Sequence, residues 1–334
     1  MAFSYRNLAI LVITLGLTLV LGCLGSLKSQ DSGLKLAIPI DCDLGKDCFI
    51  MHYVDREPTP EAKDFACGRQ TYDEHKGTDF GISDLKVMEE GVPVLATAPG
   101  TVLRVRDGVP DNLIDSEAEK QAVAGQECGN GLVIDHGNGW ETQYCHLRNG
   151  SVTVKPGMKI DQGAVLGMVG ASGLASFPHV HLTVRHQQQV IDPFGGVSNS
   201  SGCDINNKNS LWLQSLTYTP TGLIRAGFAA NPPTQSELWS GKYKDTQLSS
   251  DIPALLFWVH AYGVLQGDVE KWQLIAPNGK VILNRDSALD KPYRSWMSYS
   301  GTRNVIPGSW TGKYELWRNN KMIFEVTRNV TILK

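Results

Sequence analysis

The 334-residue chain has no surplus of either charge: 31 Lys and Arg stand against 34 Asp and Glu, a formal net charge of -3. The charges are mixed along the chain, which leaves no basic field for a polyanion, so no nucleic-acid partner is expected. No C-x-x-C pair occurs, which argues against a cysteine-built zinc site. No apolar run reaches the length of a comfortable membrane-spanning helix; the longest, Leu8 to Leu21, falls short. Internal repeats, coiled-coil heptads and low-complexity tracts are absent as well, and the length leaves room for two globular domains.

What the N-terminus does contain is informative. Arg6 is the sole charge before Lys28, and the apolar run ends in Gly22-Cys23, the pattern of a signal peptide over residues 1–22. Val20-Leu-Gly-Cys23 resembles a lipobox, in which Cys23 would be acylated after cleavage, although Leu21 stands where a small residue is usual. An ordinary cleaved signal and an uncleaved anchor are the alternatives. All three export the chain to the periplasm or cell envelope, and a lipid or N-terminal anchor would hold it to a membrane. Export makes disulfides the natural reading of Cys42, Cys48, Cys67, Cys128, Cys145 and Cys203, with the full connectivity open. One pair follows from pattern. Gly131–Asp135 and Trp140–Cys145 flank the turn His136-Gly-Asn-Gly139, so a hairpin sets Cys128 nearly opposite Cys145.

Residues 24–39, with Ser26, Ser29, Ser32 and Gly33, read as a tether, and 40–72 as a disulfide-pinned lead-in. From His75 to Pro193 short β-branched runs alternate with Gly and Pro, as in Val92–Thr97, Thr101–Val105 and Val165–Val169. That pattern predicts an antiparallel β domain over 40–197. Asp107–Glu127 interrupts it as a polar insertion, expected as a loop with one helical turn. A Ser/Asn/Gly-rich linker spans 198–210. Residues 211–334 carry the apolar strand Ala254–Tyr262 and hairpin signals at Pro277-Asn278-Gly279 and Asn319-Asn320, which predict an immunoglobulin-like β-sandwich. The chain is expected to be all-β.

The candidate chemistry sits in three short stretches: His75-Lys-Gly-Thr-Asp79, Tyr144-Cys-His146-Leu147 and His179-Val-His181. Alternate residues of a strand share a face, so an H-x-H strand delivers two imidazoles to one site. Two histidines and one aspartate leave a tetrahedral Zn2+ with an open position, the arrangement of catalytic rather than closed sites. Tyr144 shares the strand parity of His146 and is either a donor on the site face or a packing residue. His52, His136, His186 and His260 lie outside these stretches and carry no expected role; His186, at odd spacing from His181, should face away. Gly167–Gly173 lacks the spacing and following helix of a nucleotide loop.

H-x-G-x-D-F, then Y-x-H-L, then P-H-x-H-L resembles the lysostaphin and LytM type of zinc metallopeptidase, the β-lytic family. The similarity extends over roughly residues 40–195, through Gly91–Val102, Gly131–Trp140, Val154–Gly167 and Gly170–Gly173. It implies the family's duplicated hybrid β motif, with His75, Asp79 and His181 as zinc ligands. It also implies that His146 and His179 are the two non-ligand histidines: one activates a zinc-bound water and protonates the leaving amine, the other bonds the developing oxyanion. Which does which is open. The implied activity is endopeptidase cleavage of peptide cross-links in bacterial peptidoglycan, either at a D-alanyl–diaminopimelate link or at a glycine bridge. A degenerate relative that only binds wall or activates another hydrolase is the alternative, and a zinc peptidase acting on proteins a third reading.

Overall fold

The computed structural model describes Met1, residues 33–197, Cys203 and residues 209–334. The expected signal peptide, the acylation of Cys23, the tether before Gly33 and most of the 198–210 linker lie outside the described residues. Among the described residues no helix is long and apolar enough to cross a membrane.

The first domain holds β1 (Cys48–His52), β2 (Thr78–Ile82), β3 (Pro93–Leu95), β4 (Gly100–Arg106) and β5 (Asn130–Gly137). β6 (Trp140–Leu147), β7 (Lys159–Ile160), β8 (Val165–Met168), β9 (His179–His186) and β10 (Gln189–Ile191) complete it. The main sheet is antiparallel in the order β1-β2-β9-β6-β5-β4-β7, with β10 on β9, and β3 pairs separately with β8. Its two faces are set by strand alternation. Val180, Leu182 and Val184 of β9, with Phe80 and Ile82 of β2, are buried in one core. The intervening His179, His181, Thr183 and Asp79 therefore project from the opposite face. Two short helices flank the sheet, α1 (Leu85–Glu90) and α2 (Glu117–Ala122). The second is the helical turn expected in the insertion, closed by a capping box between Ser116 and Glu119.

The domain's flanks differ from the sequence expectation. Leu36 is fully buried, bridges to Trp212 and joins the first core with Ile40, so residues from Leu34 on are packed chain rather than tether. Leu211 and Trp212, assigned to the C-terminal domain, belong to that same core. Both segments are short apolar runs, Leu34–Ile40 and Leu211–Leu213, that adjoin Ser/Gly/Asn-rich stretches, and their neighbours' composition masks them. The expected Cys128–Cys145 disulfide is present, joined by Cys42–Cys48 and Cys67–Cys203.

The C-terminal region consists of β11 (Gly222–Ala229), α3 (Gln235–Trp239), β12 (Gln247–Ser249), β13 (Leu255–Val264) and β14 (Val269–Ile275). β15 (Val281–Ala288), β16 (Tyr293–Thr302), β17 (Gly308–Arg318) and β18 (Lys321–Leu333) follow. They form two sheets, β11-β13-β16 and β12-β18-β17-β14-β15. Phe257 and Val259 of one and Trp272, Trp310 and Tyr314 of the other share a single core. The β17–β18 turn takes positive φ at both Asn319 and Asn320, as a two-residue primed hairpin turn requires.

The sandwich is held against the first domain by specific contacts. Buried Asp84 caps α1 through its backbone N–H groups and also accepts from the Arg225 guanidinium of β11. Phe49 of β1 stacks on Tyr262 of β13 at 5.3 Å, and Phe177 stacks on Trp239 of α3 at 5.6 Å. These contacts fix one wall of the sandwich beside β1 and β9.

Asp192, which closes the first domain, is buried and accepts the Phe194 N–H at 2.9 Å through Oδ1, while among the described residues Oδ2 has no hydrogen bond. Burial pushes its pKa up from 3.8 to about 6, with the Phe194 bond and the Arg56 charge only partly opposing. A raised carboxyl pKa stabilises the fold fully below the unfolded value, and that contribution is lost as pH rises through the folded value. Asp192→Asn should therefore gain stability over the parent between pH 5 and pH 8, by on the order of 1–3 kcal/mol. Thermal unfolding across that range checks it; a pH-independent difference would show that Asp192 is not protonated in the fold.

Candidate active site

Three neighbouring strands set the site by register. His52 of β1 pairs with Asp79 of β2, and Asp79 pairs with His181 of β9, so the three lie in one row across the sheet. His75 approaches from the loop before β2, and Gly77 in that loop has no alternative residue. A Cβ there would lie 2.4 Å from His181 Nε2 and 2.7 Å from the Leu182 carbonyl. The glycine of the H-x-G-x-D stretch thus lets the loop reach the imidazole.

His75 Nε2 lies 3.2 Å from Asp79 Oδ1 and 3.2 Å from His181 Nδ1, and His181 Nδ1 lies 2.8 Å from Asp79 Oδ1. A tetrahedral zinc with ligand bonds near 2.0–2.2 Å needs donors roughly 3.3 Å apart, so this triangle fits the ion. The remote atom of each of these three side chains is held as well. His75 Nδ1 donates to the Tyr53 carbonyl at 2.7 Å, His181 Nε2 meets Thr183 Oγ1 at 3.0 Å, and Asp79 Oδ2 meets His52 Nδ1 at 2.9 Å. Such outer partners fix tautomer and ring orientation, aiming each lone pair at the common point. Burial opposes charge on Asp79, but His75, His179, His181 and His52 together outweigh it and hold the carboxyl well below its ordinary range. The other candidate group among the described residues, Cys42, Asp47 and Cys48, has its sulfurs joined in a disulfide and is no metal site.

His146 and His179 stand beside the triangle with ring centroids 4.6 Å apart. His146 Nδ1 donates to the Ser172 carbonyl and His179 Nδ1 to the Phe177 carbonyl, each at 2.8 Å. Both rings therefore present a bare Nε2, and that of His179 lies 3.6 Å from Asp79 Oδ1. Burial, then neighbouring imidazoles, drives the His146 pKa well below the ordinary histidine value. Burial likewise takes His179 down to about 4 against the opposing pull of Asp79. Both are neutral bases at neutral pH.

His146 reaches this position through a β-bulge. Between the pairs Asn130–Leu147 and Leu132–Tyr144, Gly131 alone opposes both Cys145 and His146, and His146 takes φ 63°. A Cβ at Gly131 would lie 2.2 Å from the Tyr144 carbonyl, so the bulge requires glycine there. The bulge also breaks strand parity. Tyr144 turns into the core, where its hydroxyl meets the Thr97 N–H and Oγ1 at 2.8 Å each, so it is a packing residue.

His75, Asp79, His146, His179 and His181 are thus brought together. His52, left without a role by sequence reasoning, joins them; only the β1–β2 register reveals it, because nothing in Cys48–His52 reads as a motif. Tyr72, 44% exposed, sets its ring 4.4 Å from His75, and Phe177 stacks on His179 at 4.3 Å. Tyr72 stands three residues before His75, a proximity that could have flagged it. His136 and His186 bind elsewhere, His136 to the Pro99 carbonyl and His186 against Trp140. His260 lies on the sandwich beside Trp239.

The purified chain should bind one zinc, measured by elemental analysis and by competition with a chromophoric chelator. Asp79→Ala and His181→Ala should abolish it, and His52→Ala should weaken it about 10–100-fold while the fold persists. Unchanged affinity in His52→Ala would mean that its bond to Asp79 does not orient the ligand.

Residues 73–193 match the family model for Peptidase family M23. The peptidoglycan DD-endopeptidase ShyB of Vibrio cholerae is 31% identical over 118 residues, 35% of this chain and 22% of that protein. The cell division protein DipM of Caulobacter vibrioides is 32% identical over 103 residues, 31% of this chain and 14% of that protein. The crystal structure of a zinc-containing peptidase from Vibrio cholerae is 25% identical, covering 42% of this chain and 39% of that one with a TM-score of 0.28. The chain thus spans less than a quarter of the length of either relative, and the family match ends before the sandwich.

Proposed function

We propose that this chain, with a Peptidase family M23 match across its site, is a zinc-dependent endopeptidase that cuts peptide cross-links of peptidoglycan. The observation that carries the reading is a metal-sized donor triangle with two neutral, Nε2-bare histidines buried beside it. Relatives named as peptidoglycan DD-endopeptidases support the substrate class. The reading includes export by residues 1–22 and anchoring through an acylated Cys23.

His75, Asp79 and His181 would hold the zinc, which when bound supplies Lewis acidity and brings the pKa of a water toward about 7. The chain's own residues handle the protons. His179, whose Nε2 lies 3.6 Å from a ligand oxygen, is the nearer base and takes the proton of the attacking water. Its Nδ1–H bond to the Phe177 carbonyl then shares the positive charge. His146 is locked in the same tautomer, and a neutral ring so locked accepts through Nε2 but does not donate. Each ring must therefore gain a proton before it can bond an oxyanion or protonate a leaving amine.

Sacculi digested by the zinc-loaded chain should lose cross-linked dimers, and a chelator should stop the loss. His179→Ala and His146→Ala should each lower kcat by about 10²–10⁴-fold with zinc retained. Mass spectrometry of the products names the bond. Intact sacculi from a folded, zinc-loaded chain would instead support a wall-binding or activator role.

A further inference from the structure

A cavity of about 380 Å³ lies beside the catalytic group, with walls from both domains. Its inner end is His52, whose Nδ1 holds Asp79, and Phe177, whose carbonyl holds His179. Leu113, Ile114 and Asp115 of the insertion before α2 form one side. The sandwich contributes Gln235 and Trp239 of α3, with Arg294 and Ser295 of β16.

The sandwich wall is built rather than incidental. Gln235 Nε2 donates to Ser295 Oγ at 2.6 Å, and Ser295 Oγ lies 3.0 Å from Nε2 of buried His260. Trp239 packs edge-on against His260 at 4.6 Å and stacks on Phe177 at 5.6 Å, linking this wall to the residue under His179. Arg294 is the cation of the lining. It lies at the exposed rim of the cavity near the positive charge of Arg69, and among the described residues no carboxylate pairs with it. Asp115 is the lining's acidic group, and its backbone N–H is taken by Glu119 within the insertion's cap. The walls thus offer apolar surface for an aliphatic stem and one uncompensated cation beside it.

We propose that this cavity is a substrate subsite in which Arg294 binds a free carboxylate of the wall peptide, making the sandwich a specificity element of the peptidase. The inference rests on the endopeptidase reading and narrows it. A stem peptide with free carboxylates satisfies the guanidinium, whereas a glycine bridge has no side-chain carboxylate to offer. The ligand is a peptide carboxylate, held by a charge-assisted hydrogen bond from Arg294 at the mouth of the cavity.

The test uses the full zinc-loaded chain and two muropeptide dimers, one with free carboxylates and one with those carboxylates amidated. On the free dimer Arg294→Ala should raise KM by on the order of tenfold or more with kcat little changed, and Arg294→Lys should recover part of the loss. On the amidated dimer the parent should be as poor as the variant. Equal KM values for parent and Arg294→Ala on the free dimer, with thermal unfolding unchanged, would overturn the subsite. Cleavage and recognition are separated by titrating the uncut free dimer into His179→Ala and following tryptophan fluorescence. Binding there that Arg294→Ala removes supports the subsite even if the parent cuts neither dimer, a result that would fail the peptidase reading alone. Binding indifferent to Arg294 would overturn it.

Discussion

The Asp79 carboxylate is the point on which the site depends. It is buried, and buried carboxylates are costly unless their charge is met. Here one oxygen faces His75 and His181 while the other meets His52, so both oxygens are engaged. The arrangement is self-consistent with a cation at its centre: the imidazoles supply lone pairs inward, and the carbonyl of Tyr53 and hydroxyl of Thr183 anchor their far sides. Removing the carboxylate would leave His75 and His181 held only from their far sides and His52 without its partner.

The sheet makes that arrangement possible without deforming itself. Strand alternation sends the aliphatic residues of β9 into the core and its histidines out the other side, so the same strand builds both the hydrophobic core and the site. Ordinary pairing cannot supply His146. A bulge opposite Gly131 does, storing a left-handed residue where the chemistry is expected, and the Cys128–Cys145 disulfide braces that turn.

The sandwich bears on the site through α3 and β16 rather than through any catalytic side chain. Arg225 on Asp84 and the aromatic pairs Phe49–Tyr262 and Phe177–Trp239 seat it beside β1 and β9. That seating turns an accessory domain into one wall of the cavity next to His52. The insertion before α2 supplies the other, which gives a physical role to a segment whose composition reads only as a polar loop.

The sequence by itself determined the all-β class and the Cys128–Cys145 pair, and its resemblance to the lysostaphin and LytM type nominated His75, Asp79, His146, His179 and His181 as the site. The class and the disulfide follow from short-range facts, period-two alternation and turn residues, whereas the nominated residues follow from the order of the family's motifs. Only the tertiary structure decided that His52 joins Asp79, that Tyr144 leaves the site face, that Leu36 and Trp212 belong to the first core, and that Arg294 lines a cavity with Leu113. These are contacts between segments far apart in the chain, set by strand register, a one-residue bulge and domain packing. Local patterning is blind to such terms, because a residue's neighbours across a sheet depend on which strands pair and where each pairing slips.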